Sequence, residues 1–189
     1  MTYFIRCLFL VALSLLVLPA AAQSERPWSV SVHAGSANLD RLVRESGSWW
    51  SDVDDRRAAL AVGVGYDLLP VLGLRALYER ANGFDALNVC PDGQVCPAVS
   101  FTEEMDFSHW QVALEPRYPL TNEWSLFASL GVMDWRLSRD DVLPGDSGTD
   151  FVYGAGVAWR TMGQFELRVE YQRSGVDYDA FRLGGALRF

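Results

Sequence analysis

The segment Gln164–Phe189, QFELRVEYQRSGVDYDAFRLGGALRF, decides the fold. Along Gln164–Arg173, Phe165, Leu167, Val169 and Tyr171 alternate with Glu166, Arg168, Glu170 and Gln172. After a break at Ser174–Asp179 the alternation resumes. Phe181, Leu183, Leu187 and Phe189 share a side with Gly185; Arg182, Gly184, Ala186 and Arg188 share the other. A period of two puts successive side chains on opposite faces, so these are two strands of a hairpin. One face is apolar and begins and ends in aromatics, while the other carries both signs of charge. A soluble sandwich would bury the apolar face and wet the charges. A transmembrane barrel would turn the apolar face to lipid and enclose the charges.

The same pattern repeats toward the N-terminus. Strands are expected at Trp28–Ser36, Ala58–Tyr66, Val71–Arg80, Phe107–Tyr118, Trp124–Met133 and Asp150–Arg160, which with the closing hairpin makes eight. Long connections (Ala37–Arg57, Ala81–Asp106, Asp134–Thr149) alternate with short ones (Asp67–Pro70, Pro119–Glu123, Thr161–Gly163). Short turns on one side and long loops on the other suit an outer-membrane barrel with its short turns in the periplasm, and each strand is near the roughly 9–11 residues that cross a bilayer when tilted. Because an open polar edge does not survive in lipid, the first and last strands must pair. The fold class expected is therefore all-β: an eight-stranded antiparallel up-and-down transmembrane β-barrel. Pro116, outward on the fourth strand, calls for a bulge or a boundary. The excursion Ala37–Arg57 holds Leu39, Leu42, Val43, Trp49 and Trp50. It either extends the strands and packs these groups on itself or includes a short helix at Asn38–Glu45, capped by Asn38.

Strand direction orders the outward aromatics by height. Trp28, Tyr66, Tyr118, Trp124, Trp159, Phe165 and Phe189 fall on the short-turn side; Tyr78, Trp110, Phe151, Tyr153, Tyr171 and Phe181 fall on the other. Two aromatic girdles bounding an aliphatic belt match a bilayer with two interfaces. A soluble barrel would have to place all of these rings in a lumen too narrow for them. The inward set is ionic: Arg75, Arg117, Arg160, Arg168, Arg182 and Arg188 can be matched with Asp67, Glu79, Glu115, Glu166 and Glu170, with His33 and His109 adding hydrogen-bonding groups. Enclosed charges are costly unless paired or hydrated, so the expectation is a plugged barrel with small water pockets.

Residues 1–22 read as a signal peptide: Arg6 in the n-region, the apolar run Cys7–Leu18, then Ala20-Ala21-Ala22 before a cleavage near Ala22. Residues 23–189 then form a single barrel domain. A formal charge of −8, and a basic content made up of arginine alone, argue against nucleic acid as a partner. Export makes Cys90 and Cys96, around a Pro-Asp-Gly turn, candidates for a disulfide, the alternative being two free thiols.

The stretches QVALEPRYPL (Gln111–Leu120), LGVMDWR (Leu130–Arg136), FVYGAGVAW (Phe151–Trp159), LRVEYQ (Leu167–Gln172) and LGGALRF (Leu183–Phe189) resemble the transmembrane domain of the OmpA-like eight-stranded outer-membrane barrels. With the turn spacing, the resemblance covers nearly all of the chain after residue 22. It implies an interior salt-bridge network, at Arg75, Glu115 and Arg168 with Glu170 beside them. Ala158 stands where the family has an interior carboxylate, which removes one partner from any switchable network of that kind. The resemblance also implies that the barrel-assembly machinery reads Phe189 as a terminal aromatic; the same residue serves equally as a girdle residue. Many members of that family continue into a peptidoglycan-binding domain; this sequence stops at its last strand, so that tethering is not carried over as an expectation.

The function expected is that of a structural outer-membrane protein, porin-like by family but with a plugged lumen. Its loops would contact lipopolysaccharide or an external partner that the sequence does not identify. No catalytic group, cofactor or dedicated metal site is implied, although loop carboxylates such as Asp52, Asp85, Glu103 and Asp140 could share divalent cations with anionic lipid heads. Two alternatives stay open: an enzyme modifying lipid A or phospholipid, for which His33 and His109 have the wrong, inward parity, and an adhesin.

Overall fold

The computed structural model describes residues 27–44, 50–89, 102–139, 146–161 and 164–189. Residues 1–22, expected to be a signal peptide, and both Cys90 and Cys96 lie outside them. Eight strands, β1 (Trp28–Arg44), β2 (Trp50–Leu69), β3 (Leu72–Val89), β4 (Thr102–Pro119), β5 (Trp124–Arg139), β6 (Asp146–Arg160), β7 (Phe165–Ser174) and β8 (Tyr178–Arg188), form one closed antiparallel barrel in chain order. The seam is a full ladder between β1 and β8 from Ser29↔Arg188 to Leu39↔Tyr178. Following paired residues once round the ring from Trp28, through Tyr66, Leu74, Leu114, Leu130, Tyr153, Arg173 and Asp179, returns to β1 at Asn38. That climb is the stagger that makes the strands of a closed barrel tilt.

Alternation then assigns the described side chains to one wall or the other. Val30, Leu60, Val112, Leu126, Leu130, Leu167 and Leu183 are exposed on the outside, while Arg75, Glu115, Arg168 and Glu170 are buried inside. The girdles are real pairs across strands. Trp28 and Tyr66 meet at 4.7 Å and Trp124 and Trp159 at 6.1 Å near the short turns, and Tyr78 and Trp110 meet at 4.7 Å near the other end. Pro116 needs neither a bulge nor a boundary. Pairing between β4 and β5 lapses opposite Ala128 and Ser129, yet Leu114↔Leu130 and Arg117↔Phe127 keep one register on either side.

The strands run well past the outer girdle. The stretch from Asn38 is strand up to Arg44, not a helix: it continues the ladder with Trp50–Arg56 of β2. The segments read as long loops likewise contribute strand on β3, β4, β5 and β6. In this extension the alternation changes sense. Arg80, Ser108, Arg136 and Ser138 face out, and Phe84, Phe107, Trp135 and Leu137 are buried. On β3 this arrangement depends on a bulge between Ala81 and Phe84, with Gly83 at φ 74°. The added residue shifts parity by one and brings Phe84 inside.

The β7–β8 hairpin is the shortest at the outer end, so β6 before Val152 lacks its β7 neighbour. On that free edge the N–H groups of Ser147 and Phe151 donate to the carboxylates of Asp146 (2.9 Å) and Asp150 (2.7 Å). Capping by the preceding side chain blunts an exposed edge against pairing with another chain.

Candidate functional site: the filled lumen

Two layers fill the barrel in series. The lower layer is ionic. At the short-turn mouth Arg160 donates to Glu166 (3.1 Å), which also accepts from Arg188 (3.3 Å). Arg188 pairs with Asp67, and Asp67 with Arg117 (2.6 Å). Glu115 takes Arg117 (3.2 Å), Arg75 (2.8 Å) and Arg168 (2.8 Å). Arg75 extends the chain to Glu170 through Nη1 and Oε2 at 2.8 Å. Arg168 lies over the Phe127 ring at 4.2 Å, a cation–π contact between buried side chains.

Higher in the lumen, Arg182 pairs with Glu79 and donates to Gln172 (2.6 Å), whose amide donates to Gln111 (2.7 Å). All eleven charged residues that the sequence places inward, Asp67 included, thus lie together in the lumen. Small residues make the room. A Cβ on Gly73 would touch the Arg117 guanidinium at 2.9 Å, and Ala158 is buried beside the network without a charge to add.

The upper layer is apolar and was not legible in the sequence as part of the plug. Phe107 stacks on Tyr178 (4.6 Å) and lies parallel to Trp135 (6.3 Å). Leu39, Phe84, Met105, Met133, Leu137, Val152 and Val176, with four alanines, complete the cluster. His109 is edge-on to Tyr178 at 5.4 Å and stands opposite Glu79 on β3, at the border between the aromatic layer and the Arg182–Glu79 pair. His33 is buried against Gly184, and neither of its ring nitrogens meets a hydrogen-bond partner among the described residues. The signal that would have exposed this layer is the inward parity of Phe107, Trp135 and Tyr178 read beyond the membrane. Phe189 sits outside, exposed, its N–H bonded to Trp28 O (3.0 Å) at the seam.

Aliphatic exterior, paired aromatic girdles, a closed ring and an ionic interior define an integral membrane β-barrel of the outer-membrane type. The comparisons with known proteins give the family. Residues 8–189 match the outer membrane protein beta-barrel domain, and the chain belongs to that family, as an OmpA-like eight-stranded barrel of the Gram-negative outer membrane. It is 28% identical over 123 residues to Outer membrane protein A of Klebsiella aerogenes, a match spanning 64% of this chain and 32% of that protein. Thus the chain aligns with about a third of that curated relative.

Solved structures of the same fold include the attachment invasion locus protein Ail of Yersinia pestis, with TM-score 0.53, 20% identity, and coverage of 88% of this chain and 100% of that one. Neisserial surface protein A reaches TM-score 0.59 at 12% identity, covering 86% and 97%. OprG of Pseudomonas aeruginosa reaches 0.57 at 13% identity, covering 89% and 99%.

Proposed function

We propose that this protein is a structural outer-membrane barrel whose lumen does not conduct and whose role is carried by its lipid-facing wall and outer rim. The observation that carries this reading is the pair of layers in series. Arg75 and Glu170 join opposite walls, and the Phe107–Tyr178 stack lies above them. An ion would have to break buried ion pairs and also cross a buried, mostly apolar aromatic layer. In planar bilayers the purified protein is expected to give no conductance steps and, in liposomes, no solute flux above empty vesicles. Reproducible steps would restore a porin role.

On this reading the protein is not an enzyme: both histidines are enclosed by the barrel and turned away from lipid. Mass spectra of lipid A from cells with and without the protein should be the same. Cleavage near Ala22, a Cys90–Cys96 disulfide, and recognition of Phe189 during assembly belong to the same proposal. N-terminal sequencing, thiol titration and export of a Phe189→Ala variant test them separately.

A second reading, surface adhesion, has one observation in its favour: the outer extension of β1–β6 beyond the girdle. Ail, whose name denotes attachment and invasion, has also been crystallised with the heparin analogue sucrose octasulfate. Saturable binding of that compound to this barrel would favour adhesion, and its absence would leave the structural role alone.

A further inference from the structure

The interior network is unbalanced. Among the described residues it holds six guanidiniums and five carboxylates, a surplus of one positive charge. The surplus is accessible at one place. Arg160, the last member of the ladder, has a side chain 42% exposed at the short-turn mouth, whereas Arg75, Arg168, Arg182 and Arg188 are all buried. Its Nε and Nη2 share Glu166, leaving Nη1 without a partner among the described residues.

At that spot lies a partly open pocket of about 80 Å³ whose lining includes Arg117, Arg160, Asn122, Ser125, Glu123 and Trp124. This is room for several waters or one tetrahedral oxyanion. Glu123 is the one acid lining it, and its carboxylate accepts the indole N–H of Trp159 at 3.3 Å. Trp124 and Trp159 stack beside the opening, and Tyr118 and Leu120 are exposed on the same turn. Polar donors and spare positive charge therefore face an opening flanked by the rings and apolar groups that mark the bilayer interface.

We propose that this pocket holds the phosphate of a phospholipid headgroup from the periplasm-facing leaflet. Arg160 would supply the charge-assisted hydrogen bond, with Asn122 and Ser125 as neutral donors, while Trp124 and Trp159 contact the glycerol and acyl region. A phosphate there would pair with the Arg160 nitrogen that Glu166 leaves open, while Glu123, the acid in the lining, is engaged by the Trp159 indole. The same chemistry would admit free phosphate, so the test separates the two.

The folded full-length protein, in octyl glucoside to keep detergent phosphate away, is titrated calorimetrically with dihexanoyl phosphatidylglycerol and, separately, with inorganic phosphate. Saturable lipid binding is expected, with phosphate competing weakly. Arg160→Gln should weaken the lipid by about tenfold, the order of one charge-assisted hydrogen bond. Trp124→Ala should weaken the lipid and leave phosphate affinity unchanged. Arg136→Gln, outward at the far end, should bind as the parent does, and the heat-shifted band on gels verifies that each variant is folded. Absence of lipid binding, or equal losses in Arg160→Gln and Arg136→Gln, overturns the proposal. Phosphate binding with no gain from the lipid overturns the headgroup assignment in favour of a free anion. None of these outcomes alters the conductance test, so this proposal and the closed-barrel reading fail separately.

Discussion

Arg75 on β3 and Glu170 on β7 meet across the middle of the lumen, Nη1 to Oε2 at 2.8 Å, from strands that stand opposite one another in the ring. Both side chains are almost wholly shielded. The pair is thus a strut between walls that share no backbone hydrogen bonds. Taking two charges from water costs several kcal/mol each, and the mutual attraction offsets that only with good geometry and further partners. Arg75 has such a partner in Glu115, at 2.8 Å from Nε.

Removing both ends of the strut should therefore cost less than the two single removals added together. Glu170→Ala leaves Arg75 under-compensated, and Arg182 loses a neighbouring negative charge; a loss of about 3–5 kcal/mol is expected. Arg75→Met combined with Glu170→Leu should cost clearly less than the sum of the two single changes. Urea unfolding in lipid vesicles, run as a double-mutant cycle, measures this. Strict additivity would mean that the pair does not act as a unit.

How much of this could be read in advance depends on where a residue lies relative to the girdles. Between them, lipid demands apolar groups outside, so Phe165–Tyr171 and their like announce both strand and orientation. The ring closure and the inward parity of Arg75 or Glu115 follow from that, but the partners do not, because strand tilt decides which inward residues share a height. Beyond Tyr78 and Trp110 the exterior meets water and the interior becomes dry, so the polarity rule inverts while the backbone continues unchanged. A template with apolar groups outside stops at Arg80 and Phe107 and leaves the rest as loop. Asn82-Gly83 adds a further obstacle, since one extra residue moves Phe84 from the expected outside to the inside.

Leu114 tests the lipid-facing assignment. It lies midway between the girdle residues Trp110 and Tyr118 on β4, with its side chain exposed. Arginine there would sit near the bilayer midplane, and Leu114→Arg should destabilise by about 2–4 kcal/mol. Ser108→Arg, on the same face but past the girdle, should cost about 0–1 kcal/mol. Equal costs in vesicle unfolding would mean that lipid does not contact this wall where the girdles place it.

Phe107 distinguishes stability from permeation. It is buried between Tyr178 and Trp135, and Phe107→Ala should cost about 3–5 kcal/mol through lost burial and a cavity. Conductance should stay at zero, because the ion ladder from Arg75 to Arg160 still fills the barrel below. A current from this single variant would show that the aromatic layer is the whole barrier.

Gly83 isolates a backbone effect. A Cβ at this position would have no atom within 4 Å, so a side chain meets open space and only the φ of 74° resists substitution. Gly83→Ala should cost about 1–2 kcal/mol, and Gly83→Asn less, since asparagine tolerates the left-handed region. A similar loss for both, measured by thermal unfolding, would point to strain elsewhere in the bulge.

Gly184 shows the opposite case, in which space decides. A methyl group there would run into the His33 imidazole and the Val32 carbonyl across the β1–β8 seam, where His33 and Gly184 are paired. The backbone at Gly184 is ordinary strand, so strain from φ contributes nothing. Gly184→Ala should therefore destabilise the seam by about 1–3 kcal/mol, the usual cost of overpacking. His33→Ala removes the ring but not the carbonyl, so the double variant should recover part of the loss and not all of it. Full recovery would place the whole clash on the imidazole, and no recovery would place it on the backbone. Because the seam closes the barrel, the same series followed by folding kinetics into vesicles should show whether closure there limits the rate.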